Sequence, residues 1–140
     1  MNPIRQFPFR EIAEKTLARY FGKLEADLRD ELATSLVRQW VSNDGHAGII
    51  TPTHQFWLQV VPRSDGVEVR CRPVKRNWGR VLSQKWDLSE DEIPGLFHQL
   101  NLCQSVLCRN ADGRTIRMRV EPKKQRVRYR EETEAEETDR

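Results

Sequence analysis

The chain has 140 residues, a formal net charge of +3 and 37% hydrophobic residues against 32% charged ones. That length suits one domain, and that composition leaves room for only a modest core. No apolar run approaches the roughly 20 residues of a membrane helix, and the first residues lead into no apolar stretch, so neither a membrane span nor a secretory leader is expected.

The N-terminal third predicts helix. Ile12, Leu17, Tyr20, Phe21, Leu24, Leu28, Leu32, Leu36, Val37 and Trp40 recur at three- and four-residue steps, the spacing of one helix face. Gly22 interrupts the run, which allows one kinked helix or a packed pair. Asn43-Asp44-Gly45 supplies turn chemistry to close it. The apolar stripe needs a partner, either the following sheet or a second copy of the chain.

Strands are expected next. Phe56, Leu58 and Val60 alternate with Gln55, Trp57 and Gln59, and after Ser64-Asp65-Gly66 the residues Val67, Val69 and Cys71 alternate with Glu68, Arg70 and Arg72. This is the pattern of an antiparallel hairpin, with Pro73 ending its second strand. Leu82, Gln84, Trp86 and Leu88 allow a third strand. Ser89 and Glu92 have capping-box spacing ahead of Ile93, Leu96, Phe97 and Leu100, the apolar face of a short helix. Three strands follow. Residues 105–109 lead to the turn Asn110-Ala111-Asp112-Gly113, then Ile116, Met118 and Val120 alternate with arginines, then Val127 and Tyr129 do the same.

The predicted architecture is α+β. One antiparallel sheet of about five to six strands has a long N-terminal helix or helix pair and a middle helix packed on one face. The single domain spans 1–130, with helix at 8–42, strands at 46–88, helix at 89–103 and strands at 105–130. Residues 131–140, rich in Glu and without apolar periodicity, predict a disordered acidic tail.

The small net charge conceals a strong asymmetry. Residues 1–62 are balanced, residues 63–130 carry 16 basic against 8 acidic side chains, and residues 131–140 carry 6 acidic against 1 basic. The cations are mainly arginine, 18 of 24. Arginine presents a planar fork to phosphates and carboxylates. GC-rich coding would favour the same bias.

Strand alternation puts Arg70, Arg72, Arg117, Arg119, Arg126, Arg128 and Arg130 on the polar side of their strands, with Trp57. If those strands share a sheet, its open face is an array of guanidinium groups with Glu68 and Glu121 as the near counter-charges. An aromatic among cations is how single-strand binders stack bases. Lys75, Arg76, Trp78 and Arg80 form a second basic-aromatic cluster, expected on a loop. A sheet's open face is polar in any case, and arginine stems suit it. The acidic tail serves solubility or folds back on the basic face.

Catalytic signals are weak. His46, His54 and His98 lack metal-ligand spacing, and there is no glycine-rich phosphate loop or nucleophile elbow. No cofactor or metal is expected. Cys71, Cys103 and Cys108 form no disulfide framework; they read as ordinary thiols of a reduced, cytoplasmic chain. The expected function is a small non-enzymatic binding protein whose basic sheet face takes nucleic acid. The alternative is an adaptor or chaperone-like module, a homodimer through its N-terminal helices with an acidic protein partner.

Overall fold

The computed structural model describes residues 8–132. The helical run is a pair, α1 (Phe9–Phe21) and α2 (Ala26–Ser42). They separate at Gly22, whose φ of +66° suits only a residue without a Cβ. Phe9, Ala13 and Leu17 of α1 and Leu32, Ala33, Leu36 and Trp40 of α2 are buried.

Three antiparallel strands follow: β1 (His46–Ile50), β2 (His54–Arg63) and β3 (Gly66–Lys75), in the order β1-β2-β3. One face of this first sheet carries Ala47, Ile49, Leu58 and Val60 into the core under α1 and α2. The helical stripe is therefore used within the protomer, against the sheet.

Residues 82–88, expected as a strand, are not one. Trp78–Arg80 (α3) begins a helix, capped by the Asn77 side chain, which continues as a π-helical turn over Val81–Lys85. Alternation and helical spacing share the positions Leu82 and Trp86. Trp78, four residues earlier and buried with them, decides for the helix. The strand before it also runs two residues past Pro73, to Lys75.

α4 (Ile93–Cys103) starts after a turn rather than on a side-chain cap, so the Ser89–Glu92 capping box does not form. Then come β4 (Ser105–Arg109), β5 (Thr115–Glu121), a 3₁₀ turn (Pro122–Lys124) and β6 (Arg126–Glu132), paired antiparallel as β4-β5-β6.

The class is α+β, as the periodicities indicate, but the six antiparallel strands form two sheets rather than one, and β1, which no alternation marked, replaces in the count the strand expected at 82–88. The second face of the first sheet, with Ile50 and Trp57, meets Ile116, Met118 and Val120 of the second. α3, α4 and the segment between them fill the rest of that core. The first sheet is thus covered on both faces over β1 and β2, where a single helical layer was expected.

Polar side chains complete the join. The Gln39 amide donates to Gly48 O (3.2 Å) and accepts from Gly48 N (2.9 Å). The Asn101 amide does the same for Ile50, at 2.9 Å and 2.7 Å. Two side chains, one from α2 and one from α4, thereby replace the missing neighbour of the outer strand β1 and satisfy its backbone.

Candidate arginine-faced sheet

The second sheet places the site. Ile116, Met118 and Val120 are buried, so Thr115, Arg117, Arg119 and Glu121 of β5 lie on the opposite face, with Thr115 itself buried at its end. A slip of one residue would bury two guanidinium groups, which fixes the register strongly. Pairing then defines four outward rows: Arg109–Thr115–Glu132, Leu107–Arg117–Arg130, Ser105–Arg119–Arg128 and Glu121–Arg126. Six arginines share this face with two carboxylates.

The carboxylates sit at its ends. Arg126 Nε donates to Glu121 Oε1 across the strands (2.5 Å). At the other end Glu132, only 5% exposed, accepts from Arg117 (2.5 Å) and Arg130 (3.5 Å). Between them Arg119 and Arg128 stand directly opposite each other and exposed. Among the described residues neither has a carboxylate within ion-pair distance. Like charges directly across a ladder repel, and here two Arg–Arg pairs lie in adjacent rows. They line a concavity of about 230 Å³ formed by Arg117, Arg119, Arg128, Tyr129 and Arg130.

Of the residues singled out from sequence, Arg117, Arg119, Arg126, Arg128 and Arg130 come together on this face. The others do not. Arg70 and Arg72 are on β3, in the first sheet; Arg70 lies beside Glu68 (3.5 Å), and Arg72 donates to Gln125 Oε1 (2.7 Å). Trp57 does share a side with Gln55 and Gln59, but that side is the inter-sheet core, and the ring is 2% exposed. Trp78 is also 2% exposed and donates to Gln55 Oε1 (2.9 Å). Arg76 covers its ring at 4.7 Å, and Arg80 donates to Gln84 (3.0 Å). The Lys75–Arg80 cluster is a lid on the core, not a stacking platform.

Sequence reasoning also missed members of the face. Arg109 and the half-exposed Leu107 (49%) belong to it through β4. The alternation of Ser105, Leu107 and Arg109 with Val106 and Cys108 carried that signal. Glu131 and Glu132, expected as the start of the tail, extend β6 instead. Glu131 takes a two-pronged hydrogen bond from Arg114 (2.9 and 3.0 Å), whose guanidinium also lies over Trp86. The expectation of a disordered tail otherwise falls on 133–140, outside the described residues.

Ion pairing depresses several carboxyls. Arg126, then Lys124 and Arg128, hold Glu121 below the usual range; Arg114 does so for Glu131, Arg63 for Glu68, and Lys123 for Asp44. A carboxylate with a lowered folded-state pKa stabilises the fold above its unfolded pKa, and that contribution is lost as pH falls through the folded value. Asp44, Glu68 and Glu131 are exposed and Glu121 is half-buried, so salt screens most of the effect. Thermal midpoints should therefore fall as pH drops below the ordinary carboxylate pKa, and less so in high salt. A midpoint unchanged down to strongly acid pH would contradict these pairs.

Cys71 and Cys108 are half-buried and burial pushes both thiols up, with Glu92 adding to the rise at Cys108, while Cys103 is exposed. Among the described residues no three His, Cys, Asp or Glu side chains cluster as a metal site, and no helix is long and apolar enough to cross a membrane. Comparison with family models, curated proteins and solved structures gives no match for this chain.

Proposed function

We propose that this protein is a non-enzymatic binder of nucleic acid that grips backbone phosphates with the outer face of the β4-β5-β6 sheet. The observation that carries the reading is the adjacent pair of rows in which Arg117 faces Arg130 and Arg119 faces Arg128. Glu132 offsets the charge of the first row, whereas the exposed Arg119–Arg128 pair has no carboxylate within ion-pair distance among the described residues, and its repulsion is relieved by an anionic ligand. Along a strand the arginines recur every ~6.8 Å and across strands every ~4.8 Å, an arrangement that can follow successive phosphates. With Trp57 and Trp78 in the core, base stacking is not part of the reading. It becomes one of charge and shape, with little sequence preference.

Fluorescence anisotropy with labelled single- and double-stranded oligonucleotides tests this. If about four phosphates are neutralised, the affinity should fall with a log–log salt slope of about −3 to −4. Arg119→Glu with Arg128→Glu should weaken low-salt binding about 100-fold and flatten the slope by about two, with the far-UV spectrum unchanged. Arg117 is a poor choice for this experiment, because it also holds the buried Glu132. Absence of binding at low salt, or affinity indifferent to the double reversal, would remove the proposal.

Leu107 favours a second reading, an acidic protein partner. It stands exposed opposite Arg117, and an apolar side chain among cations fits a protein surface better than a phosphodiester. Under the nucleic-acid reading, Leu107→Ala leaves oligonucleotide affinity unchanged.

A further inference from the structure

The first sheet has two edges, and the chain treats them differently. At β1 the outward backbone groups are taken up by the Gln39 and Asn101 amides. At β3 they are not. Arg76 N donates to Thr53 O (2.9 Å) at the open end of the hairpin. Antiparallel ladders alternate, so Val74, Arg72, Arg70 and Glu68 turn their backbone groups to β2. The N–H and C=O of Val67, Val69 and Cys71 then point away from the sheet. Among the described residues no hydrogen bond reaches them. Beside them runs a groove of about 460 Å³ between β3 and α1, with Ile12, Thr16 and Tyr20 on one wall and Val67 and Val69 on the other.

We propose that this edge is a homodimer interface: β3 pairs antiparallel with β3 of a second copy about a two-fold axis at Val69, making one continuous six-stranded sheet. This is independent of what the arginine face binds. Charge selects both the occupant and the register. With Val69 opposite its own mate, Glu68 faces the partner's Arg70 and Arg70 faces the partner's Glu68, while Val67 faces the partner's Cys71. A register one residue shorter sets Glu68 against the partner's Glu68. One residue longer sets Arg70 against the partner's Arg70; both like pairs are repulsive, and although the longer register also sets Glu68 against the partner's Arg72, it brings Pro73, which lacks an N–H, opposite the partner's Val67. Parallel pairing in register repeats both repulsions. Pro73 has no N–H to offer and confines the pairing to the segment before it. Long open edges are usually blunted by like charges or bulges, whereas this one carries an alternation that is complementary to itself. The partner's valines would also lengthen the apolar face under α1 into the groove, by isologous contacts.

Sedimentation velocity across a micromolar concentration series reads the result. The natural chain should show a concentration-dependent dimer. Glu68→Arg and Arg70→Glu should each weaken it about tenfold or more, and the double exchange should restore it. As a second measurement, Val69→Cys in a background with Cys71, Cys103 and Cys108 changed to Ser should give a disulfide-linked dimer on mild oxidation, since facing strand residues lie within bridging distance. A chain monomeric throughout, a dimer indifferent to both single charge changes, or no cross-link at position 69 would each overturn the proposal. A monomer that instead takes up an extended peptide of another protein along β3 would do so as well.

Discussion

Asn101→Leu should lower the thermal midpoint by about 8–15 °C, one of the two largest effects expected of a single substitution in this protein. The residue is buried on α4, and its amide closes both backbone groups of Ile50. Leucine has a similar volume and suits the helix, so packing and propensity change little. What is lost is the pairing of an N–H and a C=O that have no route to water. Each such orphan costs about 1–3 kcal/mol, which makes about 2–4 kcal/mol for the pair once β1 relaxes. At this chain length, 1 kcal/mol is worth roughly 3–4 °C. Thermal unfolding followed by circular dichroism checks the number. Gln84→Leu, at an exposed position, should stay within about 0.5 kcal/mol of the parent. A shift of only a degree or two for Asn101→Leu would mean that β1 does not depend on its side-chain seal.

Gly48→Ala should be destabilising by about 1–3 kcal/mol, against the usual small gain when a strand glycine acquires a methyl group. A Cβ at this position would lie 2.6 Å from Trp57 Cζ3 and 3.1 Å from Val120 Cγ1. Trp57 faces Gly48 across the β1–β2 ladder and fills the space between the sheets. Its ring is too rigid and too enclosed to move aside. Gly48 is also held from the other side by Gln39, so the backbone has little freedom to retreat. The coupling is specific. In a double-mutant cycle with Trp57→Leu, the two losses should be less than additive by about 1 kcal/mol, because the smaller side chain removes the clash. Additive losses would place the strain elsewhere.

These two sites show how far local pattern reading reaches. The N-terminal helical run, the β2–β3 hairpin and the alternating faces of β5 and β6 follow from periods of 3.6 and 2, which the chain states within a few residues. The outward direction of Arg117, Arg119, Arg128 and Arg130 follows the same way, since Ile116, Met118 and Val120 leave them no other side. The misassigned 82–88 segment shows the limit of the method: over seven residues, Leu82 and Trp86 satisfy both periods, and only the distant packing of Trp78 separates them. Glu131 and Glu132 read as tail by composition, yet Arg114 and Arg117 draw them into a strand.

Trp57 marks the boundary most clearly. Alternation places it on the side of its strand opposite Leu58, and that is correct. Whether that side meets water or a second sheet depends on Met118 and Val120, some sixty residues away, and on how six strands divide into two groups of three. Local chemistry dictates the elements, their faces and the concentration of arginine on β5 and β6. Tertiary packing decides which faces are covered. It buries the tryptophans that looked like a stacking surface and assigns Arg70 and Arg72 to another sheet. It also seals one edge of the first sheet with two amides, while among the described residues the other edge has no hydrogen-bonding neighbour. The reason is physical: side-chain direction is set by the dihedral angles of neighbouring residues, whereas coverage is set by contacts between segments whose separation in sequence carries no periodic signal.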